Sequence, residues 1–369
     1  MDGVKIERHR LKRNHHAIRT AESSPSPRRK RLTKFLLKEI AVLLLMGSIS
    51  LFCLHSTSSA FCKSWGKAVR TGTLDRRVIP EASGLAVSRK FPNRLYHIND
   101  SDNEPFFYIT DIHGNNLQPI QIEGRLSPNA DFEDMSLGPC FSQESCLFIG
   151  DIGDNVGPLD LPSRETVEIL VIEEQEIFPK SVAPIHRVVL TYPDHPHNAE
   201  GLAIHPNGDL YILTKENLLE PTIPSKMFTL SRNQWENSQN EVQPLTLFGE
   251  IEIAAMVGPH SSQAGHLITS FDIAPDGSSF LILTYDQAVE FRFDLAKGSW
   301  KGSQNLKQGE DYHLIRLEAL PQQEAISYLP HGQSFLYSSE VGSRIFSLLQ
   351  GKGFVRRDSE IFRVECLND

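Results

Sequence analysis

The chain has 369 residues, 40% of them hydrophobic, which allows a sizeable core. Its formal net charge of -9 is unevenly spread: residues 1–38 hold twelve Lys and Arg against three acids, leaving residues 39–369 at -18. So acidic a body excludes a nucleic-acid partner, because phosphate backbones are bound by positive grooves.

Behind the basic tail at 1–38 comes "IAVLLLMGSISLFCL", an apolar run of fifteen residues at 40–54. That is shorter than the roughly 20 residues a spanning helix needs. With the small residues of "STSSAFC" after it, the segment at 39–60 reads as a secretory signal cleaved after Ala60. An uncleaved anchor with the tail in the cytoplasm, or a cytosolic protein with an apolar N-terminal helix, are the alternatives. Neither Cys53 nor Cys62 follows the small residue that lipid attachment wants. The body at 61–369 is therefore expected in the periplasm or outside the cell. It touches a membrane only if the segment stays uncleaved.

The body is built from a repeat. "EASGLAVSRKFPNRLYHINDSD" from Glu81, "DFEDMSLGPCFSQESCLFIGDIGDN" from Asp131, "HNAEGLAIHPNGDLYILTKE" from His197, "ITSFDIAPDGSSFLILTYD" from Ile268 and "QQEAISYLPHGQSFLYSSE" from Gln322 share one grammar. A polar approach leads into an apolar strand, a turn rich in Pro, Gly, Asn or Cys, and a second strand that ends in polar residues. Aligned on Leu85, Met135, Leu202, Ile273 and Ile326, the copies lie about 50, 67, 71 and 53 residues apart, near the spacing of propeller blades. Third strands are expected at 106–110, 167–173, 227–230, 289–293 and 345–348. Fourth strands are expected at 118–122, 187–192, 247–253 and 313–317. The fold expected is an all-β propeller of four-stranded blades, five in number, or six if the long units conceal another. The last unit lacks a fourth strand, and "DRRVI" at 75–79 has no unit of its own. An N-terminal strand closing the ring resolves both, with a C-terminal tail from about 350.

Cys140 and Cys146 bracket a hairpin tip at a spacing that closes a small disulfide loop; a free pair and a zinc site are the alternatives. Ring closure brings Cys62 and Cys366 toward the same blade, so they can form a long-range disulfide. A free or lipid-modified Cys62 and an intermolecular bridge through Cys366 compete with that.

The set "EASGLA", "FEDMSLG", "LFIGDIGDN", "NAEGLAIHPNGDLYILTKE", "DIAPDG" and "QEAISYL" resembles a group of exported bacterial β-propeller proteins, related in style to phytase-like and other calcium-dependent propellers. The resemblance covers residues 75–349. It implies the fold and the export, and it carries over no catalytic residue. This chain departs from the group's simplest pattern at the Cys140–Cys146 insertion and at Ser83, where three other copies have Glu.

In a propeller, equivalent positions of the innermost strands converge on one mouth. Two residues before the aligned position stand Ser83, Glu133, Glu200, Phe271 and Glu324, with Glu81, Asp131, Asn198, Thr269 and Gln322 two earlier. Converging carboxylates repel, and either protonation or a bound hard cation relieves that. Calcium suits an all-oxygen ring better than zinc or copper. A purely structural ring bonding to backbone amides and a set of catalytic carboxylates are the competing readings. A second cluster, expected at the opposite end of the next strand, holds Asp100, Asp102, Asp151, Asp154, Asn155, Lys215, Glu216, Asp286 and Glu340. Within it, Asp151 and Asp154 flank Gly153 as a calcium loop would, without the spacing of an EF-hand. Lys215, Glu216 and Glu340 are ligand-binding candidates, Lys215 as the cation that meets a phosphate or carboxylate. His197, beside Glu200, is a candidate general base. No nucleophile elbow, P-loop or zinc-protease motif occurs.

Three functions follow. One is a calcium-binding module recognising a small molecule, a glycan or an envelope protein. Another is a calcium-dependent phosphoester or lactone hydrolase. The third is a structural scaffold. Architecture alone does not choose among them.

Overall fold

Each repeated segment begins one of five sheets in the computed structural model. It describes residues 62–367 apart from 101–103, 125–129, 155–162, 216–221, 240, 259–263, 301, 319, 321 and 342–357. The segments at 1–38 and 39–60, together with Asp102, Asn155, Glu216 and the strand expected at 345–348, lie outside the described residues.

Blade 1 consists of Ala82–Val87, Arg94–Asn99, Phe106–Asp111 and Gln118–Ile122. Blade 2 has Phe132–Cys140, Gln143–Asp151, Val167–Glu173 and His186–Thr191. Ala199–Ile204, Leu210–Thr214, Ser225–Leu230 and Thr246–Ile251 form blade 3. Blade 4 is Ile268–Ile273, Phe280–Thr284, Gln287–Phe291 and Tyr312–Arg316. Blade 5 has Gln323–Tyr328, Ser334–Ser339 and Glu360–Leu367, completed by two N-terminal strands, Val69–Thr73 and Ser64–Trp65. Each innermost strand packs on those of its two neighbours, and the fifth returns to the first, so the ring is closed and the fold is a five-bladed β-propeller.

Stacking blades face to face buries both sides of the inner strands, which explains why "AEGLAI", "ITSFDI" and "QEAISY" are buried at every position. Outer strands such as "QPIQI" alternate exposed and buried residues. Five of the apolar clusters fill the five gaps between blades, for example Phe148, Leu202 and Trp235 between blades 2 and 3, and Phe271, Phe280 and Phe291 between blades 3 and 4. A side chain of this size contributes about 1.5–3 kcal/mol when fully buried. The long third unit spends its extra residues on a short helix, Arg232–Glu236, that plugs Trp235 into the gap, so no sixth blade is hidden there.

Polar atoms link the inner strands sideways. Ser83 Oγ donates to the Glu133 carbonyl at 2.5 Å, and the Ile204 amide donates to Ser136 Oγ at 3.1 Å. The Ile326 amide reaches Ser270 Oγ at 3.2 Å, and the Val87 amide reaches Ser327 Oγ at 3.3 Å. Asp134 does most, because its fully buried Oδ2 accepts the Leu202 amide at 3.0 Å, the Phe271 amide at 3.2 Å and Ser270 Oγ at 3.2 Å. One carboxylate of blade 2 thereby holds blades 3 and 4.

Closure is by an N-terminal strand as expected, but not by "DRRVI". Asp75 Oδ1 accepts the Arg77 amide at 3.0 Å and turns the chain, and the Val78 and Ile79 amides donate to the Asp75 carbonyl at 2.9 and 2.8 Å. The closing strand is "VRTGT" at Val69–Thr73, whose glycine weakens a strand reading from sequence. Residues 360–367, read as tail, are the third strand of blade 5. Cys62 and Cys366 are disulfide-bonded with Cα atoms 5.6 Å apart, and Cys140 and Cys146 are bonded with Cα atoms 6.0 Å apart. Among the described residues no helix is long and apolar enough to cross a membrane.

Two outcomes are expected. Asp134→Ala leaves the Leu202 and Phe271 amides unpaired at roughly 1–3 kcal/mol each, so chemical denaturation will show a loss of about 3–5 kcal/mol. Asp134→Ala stability within experimental error of the parent would refute the linking role. Cys366→Ser releases a cross-link between residues 304 apart. It will lower the unfolding free energy by at most about 5–6 kcal/mol in the loop-entropy account, seen as a lower thermal midpoint, and reductant will have no further effect at that site.

Candidate functional site at the propeller mouth

The inner strands enter their blades through a β-bulge. Pairing slips between Phe132 and Asp134, Ala199 and Gly201, Ile268 and Ser270, and Gln323 and Ala325, with a wider slip between Ala82 and Leu85. The bulged residues are Glu133, Glu200, Thr269, Glu324 and, in blade 1, Ser83 with Gly84. A bulge leaves its residue out of the ladder and re-aims the side chain. The ring expected from sequence is therefore present with one correction. Blade 4 contributes Thr269, whose hydroxyl donates to the Gln323 carbonyl at 2.8 Å. Phe271 is two residues out of register and buried in the apolar core.

The second cluster sits at this same mouth, not at the opposite end, because an antiparallel hairpin returns the end of its second strand to the start of its first. Five equivalent backbone bonds prove it. The amides of Asp100, Ile152, Lys215, Tyr285 and Glu340 donate to the carbonyls of Glu81, Asp131, Asn198, Leu267 and Gln322 at 2.9, 3.2, 3.0, 3.3 and 2.8 Å. Seven carboxylates, those of Glu81, Asp100, Asp131, Glu133, Glu200, Glu324 and Glu340, thus share one mouth with a single described cation, Lys215.

The groups divide by contact. Lys215 Nζ lies 2.6 Å from Glu200 Oε1 and donates to the Tyr285 hydroxyl at 3.2 Å, while Asn198 Nδ2 donates to Glu200 Oε1 at 3.4 Å. Burial opposes the Lys215 charge, but Glu200, then Tyr285, Glu324 and Glu133, outweigh it and hold its pKa well above the usual lysine range. Gln322 Nε2 donates to Glu340 Oε2 at 2.8 Å. On the other side, carboxylate oxygens of Asp100, Asp131 and Glu133 all lie within 4.8 Å of one another. Gly153 forms the floor beneath two of them. A Cβ there would lie 2.3 Å from Glu133 Oε1 and 2.4 Å from Asp131 Oδ2, so a side chain at 153 and this carboxylate pair exclude each other.

Asp151 and Asp154 do not join the cluster as a calcium loop. Arg164 Nη1 lies 2.7 Å from Asp151 Oδ1, which also accepts the Asp131 amide at 2.8 Å. Asp154 Oδ2 accepts the Arg164 amide at 2.6 Å. These bonds make the "DIGD" run at 151–154 a buried brace under the mouth. His197 is not beside Glu200 either: its Nε2 lies 3.0 Å from Asp194 Oδ1, and its ring packs on Tyr192 and Phe228. Sequence reading passed over Tyr285, which ends "LILTY" as an apparent strand residue yet reaches both Lys215 and Glu324.

Burial, then the charges of Asp100, Glu200 and Asp131, push Glu133 well above the usual carboxylate range. Burial, with Glu324, Asp100 and Glu81, does the same to Glu340. Glu324 is raised to about 8 by burial, with Lys215 opposing and Glu200 and Asp100 adding. Its Oε2 is buried without a hydrogen-bond partner. Such carboxyls bind protons more tightly folded than unfolded. Their stabilisation is full below about 4.5 and is lost as pH rises toward about 8. Metal-free protein will therefore show a thermal midpoint that falls across that window, and Glu324→Gln will flatten the fall. A midpoint that rises there would contradict the assigned electrostatics.

The ring of five blades with one acidic mouth defines the class, a five-bladed β-propeller. By sequence, no protein-family profile and no curated protein matches the chain. Solved structures similar to it include regucalcin, a calcium-binding protein from Agrobacterium tumefaciens, at 12% identity and a TM-score of 0.39 over 81% of this chain and 93% of that one. A protein provisionally assigned as a gluconolactonase is similar at 11% identity and a TM-score of 0.38, over 81% and 91% of the two chains. U3-55K is similar at 10% identity and a TM-score of 0.35, over 78% and 68%.

Proposed function

We propose that this chain is an exported, calcium-dependent binding module whose mouth takes a small oxygen-rich ligand, such as a sugar or an anionic metabolite. The observation that carries this reading is the triad Asp100, Asp131 and Glu133 seated on Gly153. The donor set is all oxygen, which suits a hard cation. With one oxygen from each, three carboxylates supply fewer than the six to eight oxygens calcium takes, and water or a ligand completes the shell. That incomplete shell is what a ligand-binding centre needs. Lys215, held charged beside Glu200, offers a complementary group for an anionic ligand. Two disulfides support passage through an oxidising compartment.

A second reading, hydrolysis of a phosphoester or lactone, is favoured by one observation. Glu324, raised to about 8 and bonded to Tyr285, is a carboxyl that keeps its proton near neutral pH beside the cation site. It could deliver that proton to a leaving oxygen while a bound cation polarises the substrate.

Calcium added to metal-stripped protein will raise the thermal midpoint, by about 2.7 kcal/mol of stability at a hundredfold excess over Kd. Asp131→Asn will abolish the gain. Gly153→Ala will weaken calcium by displacing the two carboxylates, even though alanine carries no charge. Calorimetry showing no calcium binding to the wild type would end this reading. A phosphoesterase and lactonase screen with calcium, repeated on Glu324→Gln, separates the binding module from the hydrolase.

A further inference from the structure

The loop "PDHPH" at 193–197 joins the last strand of blade 2 to the bulged entry of blade 3, on the same face as the mouth but outside the carboxylate ring. It places three ligand-type side chains together. His195 Nε2 lies 3.7 Å from Asp194 Oδ2, and His197 Nε2 lies 3.0 Å from Asp194 Oδ1. The two imidazoles are 4.2 Å apart at their centroids, and one ligand atom from each of the three residues falls within 4.8 Å of the others. Ligands at about 2.0–2.1 Å from a tetrahedral ion stand roughly 3.3 Å from one another, so small rotations complete the set.

We propose that Asp194, His195 and His197 form a second metal site, selective for a borderline divalent transition ion of the zinc class and distinct from the hard-cation triad. Two imidazoles and one carboxylate suit such an ion and are poor ligands for calcium, which prefers an all-oxygen shell. The surroundings orient each ligand. His195 Nδ1 is 2.8 Å from the Pro196 carbonyl, a bond that places its proton on Nδ1 and leaves the Nε2 lone pair facing Asp194. Tyr192 and Phe228 pack against the His197 ring at 4.9 and 5.3 Å and fix its plane. Lys226 Nζ, 2.5 Å from Asp194 Oδ2, holds that carboxylate in place and leaves Oδ1 toward His197. Three protein ligands leave a fourth position for water or for a ligand atom. The chain runs from His197 through Asn198 and Ala199 to Glu200, so the site is tied to the mouth by backbone.

Cobalt(II) titrated into metal-stripped protein reports the site through its visible absorption. One equivalent is expected to give a low-coordinate spectrum that zinc bleaches and calcium leaves intact. His195→Ala, at a side chain 63% exposed, keeps the fold and is expected to weaken cobalt by roughly tenfold or more. His197→Gln is expected to do the same, while Glu133→Gln, which disables the triad, keeps the spectrum. A spectrum unchanged in His195→Ala, or absent from the wild type at millimolar cobalt, would overturn the assignment and leave the calcium reading untouched.

Discussion

Asp134 is the point on which the ring converges. Its buried carboxylate collects two amides and a hydroxyl from blades 3 and 4, and its other oxygen accepts its own strand's Met135 amide at 2.8 Å. Burial raises its pKa, and the bonds from Leu202, Met135 and Phe271 work against that rise. Each innermost strand is the edge of its sheet, so every second backbone donor along it faces the channel side, where no strand pairs with it. A residue able to accept several of them is the condition for closing the ring tightly. Asp272 repeats the device between blades 4 and 5, accepting the Tyr328 amide at 2.8 Å.

The same bulges create the chemistry. Each turns one residue out of the ladder toward the mouth, so the repeat that builds the core also concentrates like charge. Neighbouring carboxylates are tolerated there because burial favours their protonated forms, because Lys215 neutralises Glu200, and because Arg164 neutralises Asp151 beneath them. The mouth is thus held in an electrostatically unsatisfied arrangement by a scaffold whose stability lies between the blades.

Much of this was legible in the residues. The five repeats, the strand order of blades 1 to 4 and the glutamates at Glu133, Glu200 and Glu324 follow from pattern, since burial on both faces and turn chemistry are local properties. Besides the two outer strands of blade 5, three things at the mouth were not. In "ITSFDIAPDG" two apolar residues, Phe271 and Ile273, compete for one register, and only pairing with Phe280–Thr284 decides between them. Lys215 and Glu340 were separated from the ring, and Tyr285 was passed over, because a linear reading does not show that a hairpin brings its ends together. The partners of Asp151 and Asp154 depend on Arg164, which lies ten or more residues away and carries no motif.

The strand that closes the ring gives the chain an obligatory order of events. Val69–Thr73 leaves the ribosome first and pairs only with Glu360–Leu367, nearly three hundred residues later. At ordinary synthesis rates of about 5–20 residues per second, it waits on the order of 15–60 s for its partner. Until then blade 5 has no outer edge, and the interblade face of blade 1 that it covers is open. A polypeptide arranged this way cannot complete its fold while the far end is still being made.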